Sequence, residues 1–331
     1  MNSDTVTYDM IRAAAGRLAG KVRRTPLLSS PFLNEIAGRQ VFVKPECLQH
    51  TGSFKFRGAW SALSAMPEKQ RSQGVIAFSS GNHAQGVALA ARAHGVPAVI
   101  VMPTDAPRLK IDNTRALGAE VVQYDRATQD RDEIGERLAK ERGLTLVKPF
   151  DSPLVVAGQG SVGLEIAAQA AEQGVSEAQV LVPCGGGGLT SGIALALAQD
   201  APDMQVHPVE PEGFDDVRRS LESGQIEHNP SMTGSICDAI ITPAPGKLTF
   251  PILRQLCGPG LIVADSECLQ AMALAFLRLK IVIEPGGASA LAAALFRTDL
   301  LEADTVIVVA SGGNVDRELF SIALNDSPEV T

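Results

Sequence analysis

The chain has 331 residues, a formal net charge of −8, and 45% hydrophobic but only 4% aromatic residues. The acidic balance argues against nucleic acid and anionic membranes as partners, so an anionic ligand has to be held by a local site. No apolar run approaches the ~18 residues of a membrane span, and Met1-Asn2-Ser3-Asp4 is not followed by a basic and then an apolar segment, which points to a cytoplasmic protein.

The length exceeds one typical core, and abundant Ala, Val, Leu and Gly suit strands alternating with alanine-rich helices around parallel sheets. Cys47, Cys184, Cys237, Cys257 and Cys268 show no C-x-x-C spacing, and the histidines show no metal-ligand spacing. Strand-then-helix units run from Val41 to about Val147. Within them, Thr51-Gly52-Ser53-Phe54-Lys55-Phe56-Arg57-Gly58 sets one lysine between aromatics. Phe54 and Phe56 would exclude water from Lys55, disfavour its ammonium, and leave an amine able to attack a carbonyl. A partly buried structural lysine paired with an acid is the other reading of the same stretch.

Val75-Ile76-Ala77-Phe78 reads as a strand, Ser79-Ser80-Gly81-Asn82-His83-Ala84-Gln85-Gly86 as a polar loop, and the segment from Val87 as a helix. Loops at the carboxyl ends of strands bind ligands in open α/β sheets, although helix capping by Ser or Asn also accounts for this one. Ala98–Met102 and Val121–Tyr124 read as further strands, and Pro149-Phe150-Asp151-Ser152-Pro153 as a turn into a second unit. Gly158-Gln159-Gly160-Ser161-Val162-Gly163 fits the dinucleotide fingerprint ahead of a helical run from Leu164. Its preceding apolar run is short, and Glu177, the nearby acid, lies before the next strand and not at its end.

Val180-Leu181-Val182 reads as a buried strand stopped by Pro183. Cys184-Gly185-Gly186-Gly187-Gly188 then leads into a helix from Leu189. Consecutive glycines let the backbone approach an anion, and the helix N-terminus adds free N–H groups and its positive dipole end. The run lacks the Gly-Lys-Ser/Thr of a Walker loop; a flexible linker is the alternative. Val306–Ala310 is another buried strand, and it ends in Ser311-Gly312-Gly313-Asn314, where a hydroxyl could bond a heteroaromatic nitrogen.

Together these segments resemble the fold type II pyridoxal-phosphate enzymes, specifically the serine/threonine dehydratase and serine racemase group. Arg24-Thr25-Pro26-Leu27, Lys44-Pro45-Glu46, Ala157-Gly158-Gln159-Gly160, Val209-Glu210-Pro211 and Ile283-Glu284-Pro285 extend the resemblance over nearly the whole chain. It implies an α/β fold of two open, mainly parallel twisted sheets flanked by helices, as in the tryptophan synthase beta-like fold. Residues 1–70 and 149–331 would form a larger cofactor domain and residues 71–148 a smaller mobile one, with the active site in the cleft between them.

The resemblance also implies roles for single residues. Lys55 would hold pyridoxal 5'-phosphate as a Schiff base and remove the substrate α-proton, with Phe54 against the ring. Asn82 would bond the ring hydroxyl, Gly185, Gly186, Gly187 and Gly188 the phosphate, and Ser311 the pyridine nitrogen. Ser80 would be the acid or base on the opposite face, Ser79, Gly81, Asn82 and His83 would complete the substrate loop, and Arg131 and Thr242 would contact a substrate carboxylate. Glu210, the Phe214 carbonyl and Asp216 would bind Mg2+ or Ca2+, for which their hard oxygens are suited.

A homodimer is the expected assembly, and a small amino acid the expected substrate. The expected reaction converts L-threonine or L-serine to a 2-oxo acid and ammonia, with racemisation or dehydration of hydroxyaspartate as alternatives. A C-terminal regulatory domain is not expected after Asn314. Ser235-Ile236-Cys237-Asp238-Ala239-Ile240 departs from the Ala-Asp-Gly usual in the group, a change that bears on the shape of the substrate pocket.

Overall fold

The computed structural model describes residues 5–79, 81–106, 108–125 and 128–325, apart from the side chains of Leu109 and Asp132. Its strands are β1 (Leu28–Ser29), β2 (Gln40–Pro45), β3 (Val75–Phe78), β4 (Ala98–Pro103), β5 (Glu120–Tyr124), β6 (Thr145–Leu146), β7 (Ala178–Pro183), β8 (Met204–Pro211), β9 (Leu261–Val263) and β10 (Thr305–Ala310). They form a six-stranded sheet in the order β1-β2-β10-β7-β8-β9 and a four-stranded sheet in the order β5-β4-β3-β6. All pairings are parallel except that of β1 with β2. The expected class, α/β with two mainly parallel sheets, is the class found.

The valine-rich strands have both faces buried, so alternate side chains enter different cores. In β10, Val306, Val308 and Ala310 pack on one face of the large sheet, and Ile307 and Val309 on the other. In the small sheet, Val75 and Ala77 of β3 face one core while Ile76 faces another. A one-residue slip in either strand would exchange these faces, which fixes the register of Ile307 beside Val180 and of Ile76 beside Val99.

Two departures from the sequence reading matter for the site. The helix after β3 begins at Asn82 and not at Val87, and it runs to His94. Gly86 lies inside it because a Cβ there would stand 3.0 Å from the Lys55 carbonyl carbon; the missing side chain lets this helix abut the helix Lys55–Ala65. The dinucleotide-like glycines lie wholly inside the 20-residue helix Pro153–Glu172. A Cβ at Gly158 would meet Ser61 Cβ at 2.5 Å, and one at Gly163 would meet Ala196 Cβ at 2.8 Å. They serve close helix packing, not phosphate binding.

Beneath the Lys55 helix lies a buried ionic network. Arg57 donates from Nε and Nη2 to both Glu46 oxygens at 2.8 Å, and from Nη1 to Glu165 at 2.7 Å. Lys44 joins Glu165 at 2.6 Å, and the Thr25 hydroxyl donates to Glu46. Burial alone would raise the Glu46 carboxyl, but the Arg57 guanidinium outweighs it and holds the pKa below the usual range. The network accounts for Thr25 of Arg24-Thr25-Pro26-Leu27 and for Lys44 and Glu46 of Lys44-Pro45-Glu46, residues that brace the element that carries Lys55.

Candidate active site

The ends of β7 and β10 and the first residues of three helices, Lys55, Asn82 and Gly188, converge on a single pocket. Phe54, Lys55, Asn82, Phe150, Gln159, Pro183, the loop Gly185–Gly188, Thr190, Ala239, Ile240, Thr242, Glu284 and Ser311 are among its lining residues. Lys55 is the first residue of its helix, and the Phe54 N–H donates to the Ser311 carbonyl at 3.1 Å, tying the lysine segment to the end of β10. The Lys55 Nζ donates to the Pro149 carbonyl at 3.0 Å and lies 5.0 Å from the centre of the Phe54 ring. Burial brings the Lys55 pKa down to about 8, while the Glu284 carboxylate opposes that fall.

Glu284 is itself buried, and burial raises its carboxyl to about 7. The Asn82 Nδ2 donates to Glu284 Oε1, and Asn314 Nδ2 donates to Asn82 Oδ1 at 2.7 Å, so the Asn82 amide is oriented from both ends. Burial, with the Lys55 charge beside it, lowers the His83 pKa to about 3. The neutral ring donates through Nε2 to the Val147 carbonyl at 2.8 Å.

The glycine loop runs from the end of β7 into the helix Gly188–Asp200, whose first turn leaves N–H groups without intrahelical acceptors. Its walls are Phe150, Ile240 and Leu253. A Cβ at Gly186 would stand 2.3 Å from the Phe150 ring, and one at Gly185 would stand 2.8 Å from the Ile240 carbonyl oxygen. Gly187 has a φ of 85°, in the left-handed region that side chains disfavour. The buried side-chain oxygens of Gln159, Thr190 and Thr242 all line the pocket and have no hydrogen-bond partner among the described residues. An open-backed anion cradle beside a reactive amine, fringed by unsatisfied polar atoms, fits pyridoxal phosphate.

The structure thus brings together Phe54, Lys55, Asn82, Gly185 to Gly188, Thr242 and Ser311. Ser79, Gly81, His83 and Arg131 are not among the lining residues. Gly81 precedes the Asn82 helix, its N–H bonded to Ser79 Oγ, and the exposed Arg131 stacks its guanidinium 5.7 Å from the Phe78 ring. Ser80 lies outside the described residues. Sequence reasoning assigned no role to Glu284, Gln159 or Phe150. The signal for Glu284 was an acid between Ile283 and Pro285 in an apolar stretch.

Glu210 caps the helix Asp216–Ser223, its two oxygens accepting from the Val217 and Arg218 N–H groups at 2.8 and 2.7 Å. Asp216 accepts from Asn229 through Oδ1, but its buried Oδ2 has no partner among the described residues. Burial and mutual repulsion raise the Glu210 pKa, and burial raises Asp216 to about 7. The described residues contain no cluster of three or more His, Cys, Asp and Glu placed to hold a metal. The orphaned oxygen nonetheless fits a cation completed by carbonyls and waters.

Comparison with known proteins identifies the class. The family described as pyridoxal-phosphate dependent enzyme matches residues 18–312, and the chain belongs to it. Within that class the chain is similar to an L-threo-3-hydroxyaspartate ammonia-lyase from Pseudomonas sp, 46% identical over 96% of this chain and 98% of the relative. It is also similar to a serine racemase from Schizosaccharomyces pombe, 40% identical over 95% and 96%. Among solved structures, a threonine deaminase from T.th. matches with a TM-score of 0.88 and 45% identity over 94% of this chain and 99% of that one. Maize serine racemase matches with a TM-score of 0.90 and 37% identity over 97% of each chain. The protein is therefore an enzyme of the pyridoxal-phosphate-dependent ammonia-lyase and racemase group.

Proposed function

We propose that this chain is an ammonia-lyase for small β-hydroxy amino acids, with L-threo-3-hydroxyaspartate as its preferred substrate. The observation that carries the lyase reading is a lysine brought to a pKa of about 8 beside a glycine anion cradle. The full-length likeness to the Pseudomonas enzyme, joined by 42% identity over 98% of this chain to the enzyme of that name from Saccharomyces cerevisiae, favours hydroxyaspartate. Threonine and serine, placed first by the sequence reading, become the lesser substrates. Racemisation is a second reading, favoured by the full-length likeness to serine racemases.

The reaction removes the α-proton and the β-hydroxyl as water; the enamine takes water back, and a 2-oxo acid and ammonia leave. Pyridoxal phosphate, when bound, withdraws electrons from the α-carbon and acidifies its hydrogen. Lys55 Nζ is the base that accepts that proton, a role open to a lysine neutral near pH 8. Asn82, fixed by Glu284 and Asn314, positions the ring hydroxyl; Ser311 meets the ring nitrogen and Gly185 to Gly188 hold the phosphate. The free N–H groups of the Asn82 helix and the unsatisfied Thr242 hydroxyl receive the substrate α-carboxylate. Ser80 keeps its proposed place as the acid or base of the opposite face.

Residues 71–148 form the smaller unit in this reading. Its movement toward the larger one excludes water from the site. Asp216, Glu210 and the Phe214 carbonyl would hold a divalent cation, and two copies make the working assembly.

The test is direct. Purified holoprotein is given L-threo-3-hydroxyaspartate, L-threonine and L-serine, and ammonia and 2-oxo acid are measured. Hydroxyaspartate should show kcat/KM at least ~10-fold above threonine, about 1.4 kcal/mol of transition-state discrimination. Equal or reversed efficiencies would remove the substrate assignment, and release of neither product from any of the three would remove the lyase.

A further inference from the structure

An ion pair joins a helix of the small-sheet unit to the loop whose Ala239 and Ile240 line the pocket. Lys110 lies on the helix Arg108–Ala116, which follows β4 of the small sheet. Its Nζ donates to Asp238 Oδ2 at 3.2 Å. Asp238 belongs to the loop of the large-sheet unit that departs from the family pattern, and its neighbours Ala239 and Ile240 line the pocket. Both charges of the pair reach Glu284 on the pocket wall, Asp238 raising that carboxyl and Lys110 opposing the rise.

The two partners of this ion pair differ. The Lys110 side chain is only 12% exposed, whereas Asp238 is 66% exposed. The ammonium is held in place by packing of its stem, while the carboxylate can turn into water at little loss, because exposed ion pairs contribute little. Asp238 is thus an exchangeable counter-ion on a fixed cation. A second carboxylate carried by a substrate in the pocket would find a positive charge already positioned and only a weakly held anion to displace. Threonine and serine present a methyl group or hydrogen where hydroxyaspartate presents that carboxylate.

We infer that Lys110 determines specificity for dicarboxylic β-hydroxy amino acids by receiving the β-carboxylate, with Asp238 as its place-holder in the free enzyme. This rests on the hydroxyaspartate reading above. It assigns Lys110 to substrate selection, and not to the chemistry that Lys55 performs.

The experiment compares wild-type holoprotein with Lys110→Met, Lys110→Arg and Asp238→Asn. Removing a partner from a desolvated charge pair should lower kcat/KM for 3-hydroxyaspartate about 100-fold in Lys110→Met, mainly through KM, with L-threonine turnover changed less than about threefold. Lys110→Arg should restore most of the loss, and Asp238→Asn should keep the preference for the dicarboxylate. In parallel, calorimetric titration should show succinate binding weakened by a similar factor in Lys110→Met, while butyrate binds all four proteins alike.

Equal losses on both substrates would overturn the inference, as would an Asp238→Asn defect matching that of Lys110→Met, because either outcome makes the pair a simple bridge between the sheets. If wild type ignores hydroxyaspartate, the substrate reading falls by itself. The succinate titration still decides Lys110: unchanged binding in Lys110→Met overturns its role. Retained visible absorbance of bound cofactor and unchanged circular dichroism separate these results from misfolding.

Discussion

Asn82 on the small-sheet side and Glu284 on the large-sheet side share a 2.5 Å hydrogen bond across the pocket, 202 residues apart in sequence. The acceptor is a buried carboxyl raised from 4.5 to about 7. A raised folded-state pKa means that the native protein binds more protons than the unfolded chain between pH 4.5 and 7. The Glu284 contribution to stability is therefore complete below pH 4.5 and is lost as the pH rises through 7. Urea unfolding of the cofactor-free protein should show wild type losing stability over this window relative to Glu284→Gln. Parallel profiles for the two proteins would mean that Glu284 is not perturbed as its burial requires.

Lys55 carries the opposite sign. Its pKa falls from 10.5 to about 8, so the neutral, nucleophilic amine becomes the major form above pH 8 and not above 10.5. The rate at which cofactor-free protein recovers visible absorbance on adding pyridoxal phosphate should rise with pH and level off above about 8. Glu284→Gln removes the charge that supports the ammonium and should move that midpoint lower. Lys55→Ala should show no recovered absorbance and should lose at least ~10³-fold in turnover, the scale of a missing positioned base. A rate still climbing at pH 9.5 would show that Lys55 is solvated.

The anion cradle depends on the absence of side chains. Gly186→Ala would put a methyl group 2.3 Å from the Phe150 ring, too close for either group to stay in place. Displacing the loop should weaken pyridoxal-phosphate affinity by ~10- to 100-fold, about 1.4–2.8 kcal/mol, in an absorbance titration. An unchanged affinity would relieve Gly186 of any part in holding the phosphate.

How much of this was legible depended on whether the cause was local. Val75–Phe78 was read to the residue because an apolar run bounded by Gly74 and Ser79 leaves a strand few alternatives. That Lys55 and Gly185–Gly188 belong to one pocket was legible because what marks each, a lysine between aromatics and a glycine run after a buried strand, lies in adjacent residues. The helix start at Asn82 was not, since its first turn is polar and Gly86 reads as a breaker until the Lys55 backbone is seen against it. Likewise Gly158 to Gly163 imitate a nucleotide loop, because close helix packing and close phosphate approach both demand glycine. Pairs such as Asn82 with Glu284 and Lys110 with Asp238 leave no local trace; only the fold brings them together.

Arg57 tests the support beneath the site. Its guanidinium is fully buried between Glu46 and Glu165, so Arg57→Met leaves the buried Glu46 carboxylate without its main counter-charge. Such a loss should destabilise the protein by about 3–5 kcal/mol in urea unfolding, several times what an exposed pair would contribute. Adding Glu46→Gln to Arg57→Met should recover part of the loss, because the second change removes the stranded charge. A double variant less stable than the single one would place the contribution in packing and not in charge.

The pair Glu210 and Asp216 makes the corresponding prediction for a cation. Both carboxyls are buried with raised pKa values, and Asp216 Oδ2 has no partner among the described residues, so a cation beside the Glu210 cap would take the place of the proton that burial favours. A divalent cation that binds the folded state and not the unfolded one stabilises by mass action, by about 2.7 kcal/mol at a hundredfold excess over Kd. Adding Mg2+ or Ca2+ to chelator-treated wild type should therefore raise Tm, and Asp216→Asn should abolish that rise while leaving cofactor absorbance in place. If neither ion moves the wild-type Tm, burial and repulsion are relieved by protonation in place of a metal, and Asp216→Asn should then be as stable as wild type or more so, because it removes half of the repulsion.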